Sequence, residues 1–131
     1  PINLATAKKV ADGAVAEATK RGRDMCVAVV GQRGDLVYIE KMDGCQFASI
    51  RISQAKARAA ARFRRPTIVF ERLMGKGEFF AYLPTLGGSF MGSRGGNLLV
   101  VNGKIIGAIG ASNGTGSQDD TISLAGAAAL K

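Results

Sequence analysis

The chain has 131 residues, 47% of them hydrophobic, with two cysteines, no histidine and a formal net charge of +8. That length predicts one domain, residues 1–131, able to bury a core without disulfide or metal staples. The missing histidine rules out Ser-His and Cys-His nucleophiles and removes the commonest zinc ligand and the usual haem ligand, so no metal site is expected.

No apolar run approaches the roughly 20 residues that cross a bilayer, and no signal-peptide pattern is present, so no membrane partner is expected. Cys26 and Cys45 lack both CxxC and framework spacing, which points to a reducing, cytoplasmic compartment. Pro1 is read as following a removed initiator Met. As an N-terminal amine base it is set aside, because a helical pattern begins by Leu4.

Apolar residues at Leu4, Ala7, Ala11, Ala14, Val15 and Ala18 predict a helix over 4–20, capped by Asn3 and ended by Gly22. The apolar run 25–31 predicts a strand buried on both faces, and 35–41 a half-exposed partner across the QRGD turn. Residues 46–63 predict a second helix. One side carries Arg51, Arg58 and Arg62, with Arg65 just beyond. Two alanine-rich strips predict close neighbours on two sides. Pro66 breaks the direction, and Thr67 is expected to cap a short helix over 68–75.

Residues 76–97 are glycine-rich and read as irregular. Phe79, Phe80, Tyr82, Leu83, Leu86 and Phe90 must nevertheless pack on something, a ligand or a second subunit. Asn102-Gly103 between two apolar runs is a strong hairpin signal over 98–112, because a type I′ turn needs positive φ at both positions. A last helix over 117–130 is predicted, with Ser117 as its cap and Asp120 completing a capping-box variant. The order α-β-β-α-α-β-β-α, with hairpins instead of long crossovers, predicts an α/β (α+β) fold with a single antiparallel sheet flanked by helices.

The stretch GAIGASNGTG, residues 107–116, invites comparison with a phosphate loop. It lacks the strand–GxGxxG–helix context and the Gly-Lys-Ser/Thr ending, so its first half reads as a strand whose glycines permit close packing. Residues 51–76 hold eight Lys/Arg against one acid, Glu71. On the second helix no aromatic is interleaved between Arg51 and Arg62, so a solvated face or subunit contact is expected and nucleic acid is not. Lys56 lies between apolar strips. It either snorkels to water or lines a pocket, pairing with a carboxylate ligand or with an acid such as Asp43. Arg94, in the glycine-rich stretch, is either an exposed loop residue or a bidentate clamp for an anion.

Several segments together resemble one family. They are MDG at 42–44, SIRISQAKA at 49–57, RPT at 65–67, GG at 87–88 and 95–96, and NGKIIGAIGASNGTGSQDD at 102–120. The chain is similar to the GlcG/HbpS family of haem-binding-like domains and to the C-terminal domain of PduO-type proteins. The resemblance implies a profilin-like α/β domain, a symmetric homo-oligomer, and a pocket formed by loop 87–96, strand end 110–113 and the Lys56 helix. By that implication the ligand-binding residues are Lys56, Gly87, Gly88, Arg94, Gly95, Gly96, Ser112, Asn113 and Gly114. Haem is the family's associated cofactor, and here Met, Cys or Tyr would have to ligate it.

Two functions follow. The first is an oligomeric domain that binds a small anionic molecule, with no other cofactor expected. The second is a small metal-free enzyme, an isomerase, deaminase or hydrolase, acting on an anionic carboxylate metabolite. In that version Lys56 or Arg94 binds the carboxylate, and Asp43 or Asp119 moves protons.

Overall fold

Turn chemistry sets the strand pairing. In the computed structural model, which describes residues 1–87 and 90–130, Asn102 and Gly103 have φ of 51° and 75° and join β3 (Gly96–Val101) to β4 (Lys104–Ser112). Gly34, with φ 88°, closes the hairpin between β1 (Cys26–Gly31) and β2 (Leu36–Lys41). The two hairpins meet through β1 and β4, giving an antiparallel sheet in the order β2-β1-β4-β3.

The period-2 alternation of strands divides the core. Val27 and Val29 of β1 and Ile109 and Ala111 of β4 face α1 (Leu4–Lys20) and α5 (Gly116–Ala128). Ala28, Val30 and Ala108 point the other way, onto Ala57, Ala60 and Ala61 of α2 (Ala48–Phe63). The α2 side is therefore built from small side chains, and the helix lies close to the sheet. Gly110 shows how close: a Cβ there would collide with the Ser53 carbonyl oxygen and stand 2.7 Å from the Ala57 nitrogen.

The expected α1 caps are present. The Asn3 side chain accepts the Thr6 N–H at 2.8 Å, and Gly22 takes φ 68° after the last turn. Three expectations are corrected. The cap of α5 is Thr115, not Ser117, because the helix begins at Gly116; the Thr115 and Gln118 side chains each accept the other's backbone N–H. Thr67 stands at the start of α3 (Ile68–Gly75), but its hydroxyl does not cap the helix. Instead it accepts the Gly96 N–H at 2.9 Å and ties α3 to β3. The stretch 76–97 is not wholly irregular, because a 3₁₀ turn at Phe80–Tyr82 runs into the short helix α4 (Leu83–Leu86).

Candidate functional site

The two long sides of α2 meet different environments. On the sheet side, Lys56 is buried and does not reach water. Its Nζ donates to Asp119 Oδ2 at 2.8 Å and to the Ala111 carbonyl oxygen at 3.0 Å. Asp119 Oδ1 accepts the Gly114 N–H at 2.8 Å. Burial raises the Asp119 pKa above its ordinary value, although the Lys56 hydrogen bond and charge and the Gly114 N–H all oppose that shift. Gly95 closes the cluster with φ 118°; a Cβ on it would lie 2.9 Å from Lys56 Nζ, Ala111 O and Asp119 Cβ alike. This network fastens α2, β4 and the start of α5 to one another.

The other expected residues surround this network without opening it. Lys56's ion partner is Asp119 and not Asp43, which is exposed on the loop after β2. Ser112 donates to Ser49 Oγ at 3.1 Å, and the Asn113 side chain donates to the Asp24 carbonyl at 2.7 Å. Gly96 packs against the Lys56 backbone and Thr67. Gly87 is exposed with φ 74°, and Gly88 lies outside the described residues. Arg94 is engaged with Glu71: its Nε donates to Oε2 at 2.8 Å and its backbone N–H to Oε1 at 3.1 Å. The hydrogen bond from Arg94 holds the Glu71 carboxyl below its ordinary range.

The outward side of α2 is different. Arg51, Gln54, Ala55 and Arg58 form one wall of a cleft of about 380 Å³, and Phe90 and Met91 form the opposite wall. Arg51 and Arg58 are seven residues apart, so their stems leave the helix about 10 Å apart on one stripe. Among the described residues neither has a carboxylate within ion-pair distance. Gly34 leaves room for the Arg58 stem, because a Cβ there would stand 2.8 Å from Arg58 Cγ. Beyond Phe90 lies a cluster of rings. Phe63 and Phe70 are 4.9 Å apart, Phe70 and Phe79 4.9 Å, and Phe79 and Tyr82 5.2 Å. Phe79, Tyr82 and Phe90 thus pack into one cluster with Phe63 of α2 and Phe70 of α3, whereas Phe80 is exposed.

Sequence reasoning saw the arginine stripe and the need to cover Phe90 but did not join them. The available signal was Ile52 and Ala55, apolar positions set among the arginines. Cys26 and Cys45, unrelated by spacing, are brought together with Sγ atoms 2.9 Å apart, both buried. Burial, foremost, pushes the Cys26 thiol up to about 12.

A family model described as haem degrading protein HbpS-like matches residues 2–128. The chain belongs to the HbpS-like family. Protein GlcG of Escherichia coli K12 is 39% identical over 97 residues, covering 73% of this chain and 69% of GlcG. The crystal structure of HbpS superposes with a TM-score of 0.84 at 30% identity, over 99% of this chain and 90% of HbpS. A PduOC structure, a haem complex, superposes with a TM-score of 0.89 at 22% identity, over 98% of this chain and 94% of PduOC, a likeness of fold.

The residues here do not fit a histidine-ligated haem. The chain has no histidine, and the cleft offers one thioether, Met91, beside two guanidiniums. Those guanidiniums match carboxylates. Among the described residues no group of three His, Cys, Asp or Glu could hold a metal ion, and no helix is long and apolar enough to cross a membrane.

Proposed function

We propose that this HbpS-like chain is a ligand-binding domain that takes a small organic anion in the Arg51–Arg58 cleft and works as a homo-oligomer. The carrying observation is the pairing of two guanidiniums with the apolar wall of Phe90 and Met91. A guanidinium recognises a carboxylate bidentately, and the apolar wall accepts the ligand's carbon body. Lys56 and Asp119 line neither this cleft nor the two cavities beside it. That supports binding over proton transfer, with Lys56, Gly95, Ser112 and Gly114 as the frame behind the site. Exposed Phe47, Val100, Val101 and Leu124 supply apolar surface for self-association. The contacting thiols Cys26 and Cys45 suit a reducing cytoplasm.

A thermal-shift screen of organic acids tests the reading. An acid at 100 times its Kd stabilises the fold by about 2.7 kcal/mol, and Arg58→Ala removes the shift. If no acid shifts the melting temperature, the cleft is not a binding site. A stoichiometric Soret band on haem titration that survives Arg58→Ala would also overturn the reading. Light scattering tests the oligomer, and a clean monomer refutes it.

A further inference from the structure

Three cavities share lining residues in series, from the outer side of α2 to the rings around α3. Arg58 and Phe90 wall both the arginine cleft and a narrow waist of about 40 Å³. Phe63 and Leu86 wall both that waist and a third cavity of about 380 Å³. The third cavity is set among Phe63, Phe70, Phe79 and Tyr82, with Arg65 and Thr85 as its polar members. Two guanidiniums, Arg51 and Arg58, meet in the first cavity, Arg62 joins Arg58 in the small one, and most of the aromatic surface lines the third, beside Arg65.

We infer that one ligand spans all three: an ω-aryl alkanoate, its carboxylate at Arg51 and Arg58, its chain in the waist and its ring in the aromatic cavity. This deepens the anion-binding reading and rests on it. The waist selects the linker, since about 40 Å³ has room for a few methylenes but not for a ring. The far cavity selects the terminal group. Phe63, Phe70 and Phe79 stand in edge-to-face or tilted arrangements with centroids 4.9 to 5.8 Å apart, the range in which a further ring adds to such a cluster. Phe70, 1% exposed, is a fixed floor, whereas Tyr82, 62% exposed, is a rim that a ligand can cover.

The test is isothermal titration of the intact chain with phenylacetate, 4-phenylbutyrate, 6-phenylhexanoate and ring-free hexanoate. Affinity should rise along the phenyl series, by about tenfold or more from first to last, and hexanoate should bind more weakly than 6-phenylhexanoate. Leu86→Trp plugs the waist and should flatten the series. Tyr82→Ala, at an exposed rim, should weaken 6-phenylhexanoate several-fold without endangering the fold. Arg58→Ala should weaken every acid. If acids bind with no dependence on length or ring, the spanning site is wrong and the arginine cleft stands. The spanning site is equally wrong if the series survives both Leu86→Trp and Tyr82→Ala. If no acid binds, the cleft and the spanning site fall together.

Discussion

Lys56 and Arg58 stand two residues apart on α2, yet Lys56 is 3% exposed and ion-paired while Arg58 borders an open cleft. Lys56 faces a sheet of small residues, where Gly95 and Gly110 leave just enough room for its amine and for the helix backbone. Arg58 faces the 90–91 segment, which leaves a cavity. The same charge on the same helix is structural on one side and available for recognition on the other. What lies opposite decides the role, not the residue type.

The sharpest way to break this comparison is to remove each cation in turn. Lys56→Met leaves Asp119 buried without its cation, so chemical denaturation should show a loss of about 3–5 kcal/mol. Adding Asp119→Asn should return part of that loss. A Lys56→Met variant as stable as the parent would refute the structural role.

Gly110→Ala probes the close approach on the same side. Its Cβ would meet the α2 backbone, which cannot rotate away, so a cost of about 1–3 kcal/mol is expected from the denaturation midpoint. Arg58→Ala is the outward counterpart. Its stability change should stay within about 0.5 kcal/mol, while acid binding by calorimetry should fall tenfold or more. Equal stability losses for Lys56→Met and Arg58→Ala would erase the distinction between the two sides.

The smallest effect concerns acid. Glu71 is depressed below its ordinary 4.5 by the Arg94 hydrogen bond. Its contribution is therefore fully present above that pH and is lost as pH falls through the lower folded value. Glu71→Gln should flatten the stability profile in that acid window. Asp119, raised by burial, acts with the opposite sign: it lowers stability as pH rises from 3.8 through its folded value. Melting curves from pH 3 to 6 on Glu71→Gln and the parent separate the two.

Much of the fold was legible because its signals are local. Asn102-Gly103 specifies positive φ whatever surrounds it, and Asn3 caps α1 with a neighbour three residues on. The two caps that differ show where locality ends. Thr67 has a suitable side chain for capping α3, but its hydroxyl is taken by Gly96, 29 residues away. Thr115, two residues before Ser117, caps α5 through a reciprocal pair of hydrogen bonds with Gln118. The site was half legible. The arginine stripe and the unsatisfied aromatics of 79–90 were both visible, but the cleft exists only where they meet.

Periodicity, turn chemistry and composition were enough for the strand hairpins, the helix faces and the concentration of positive charge along residues 51–76, and short motifs were enough for the family. These signals act over a few residues at a time, so they can be read along the chain without knowing what packs on what. The pairing of Lys56 with Asp119, 63 positions away, and of Arg94 with Glu71 came only with the folded chain. So did the placing of Arg51 and Arg58 opposite Phe90. An ion pair or a cleft is a distance between chain segments, and no local propensity encodes that distance until the sheet brings the segments together.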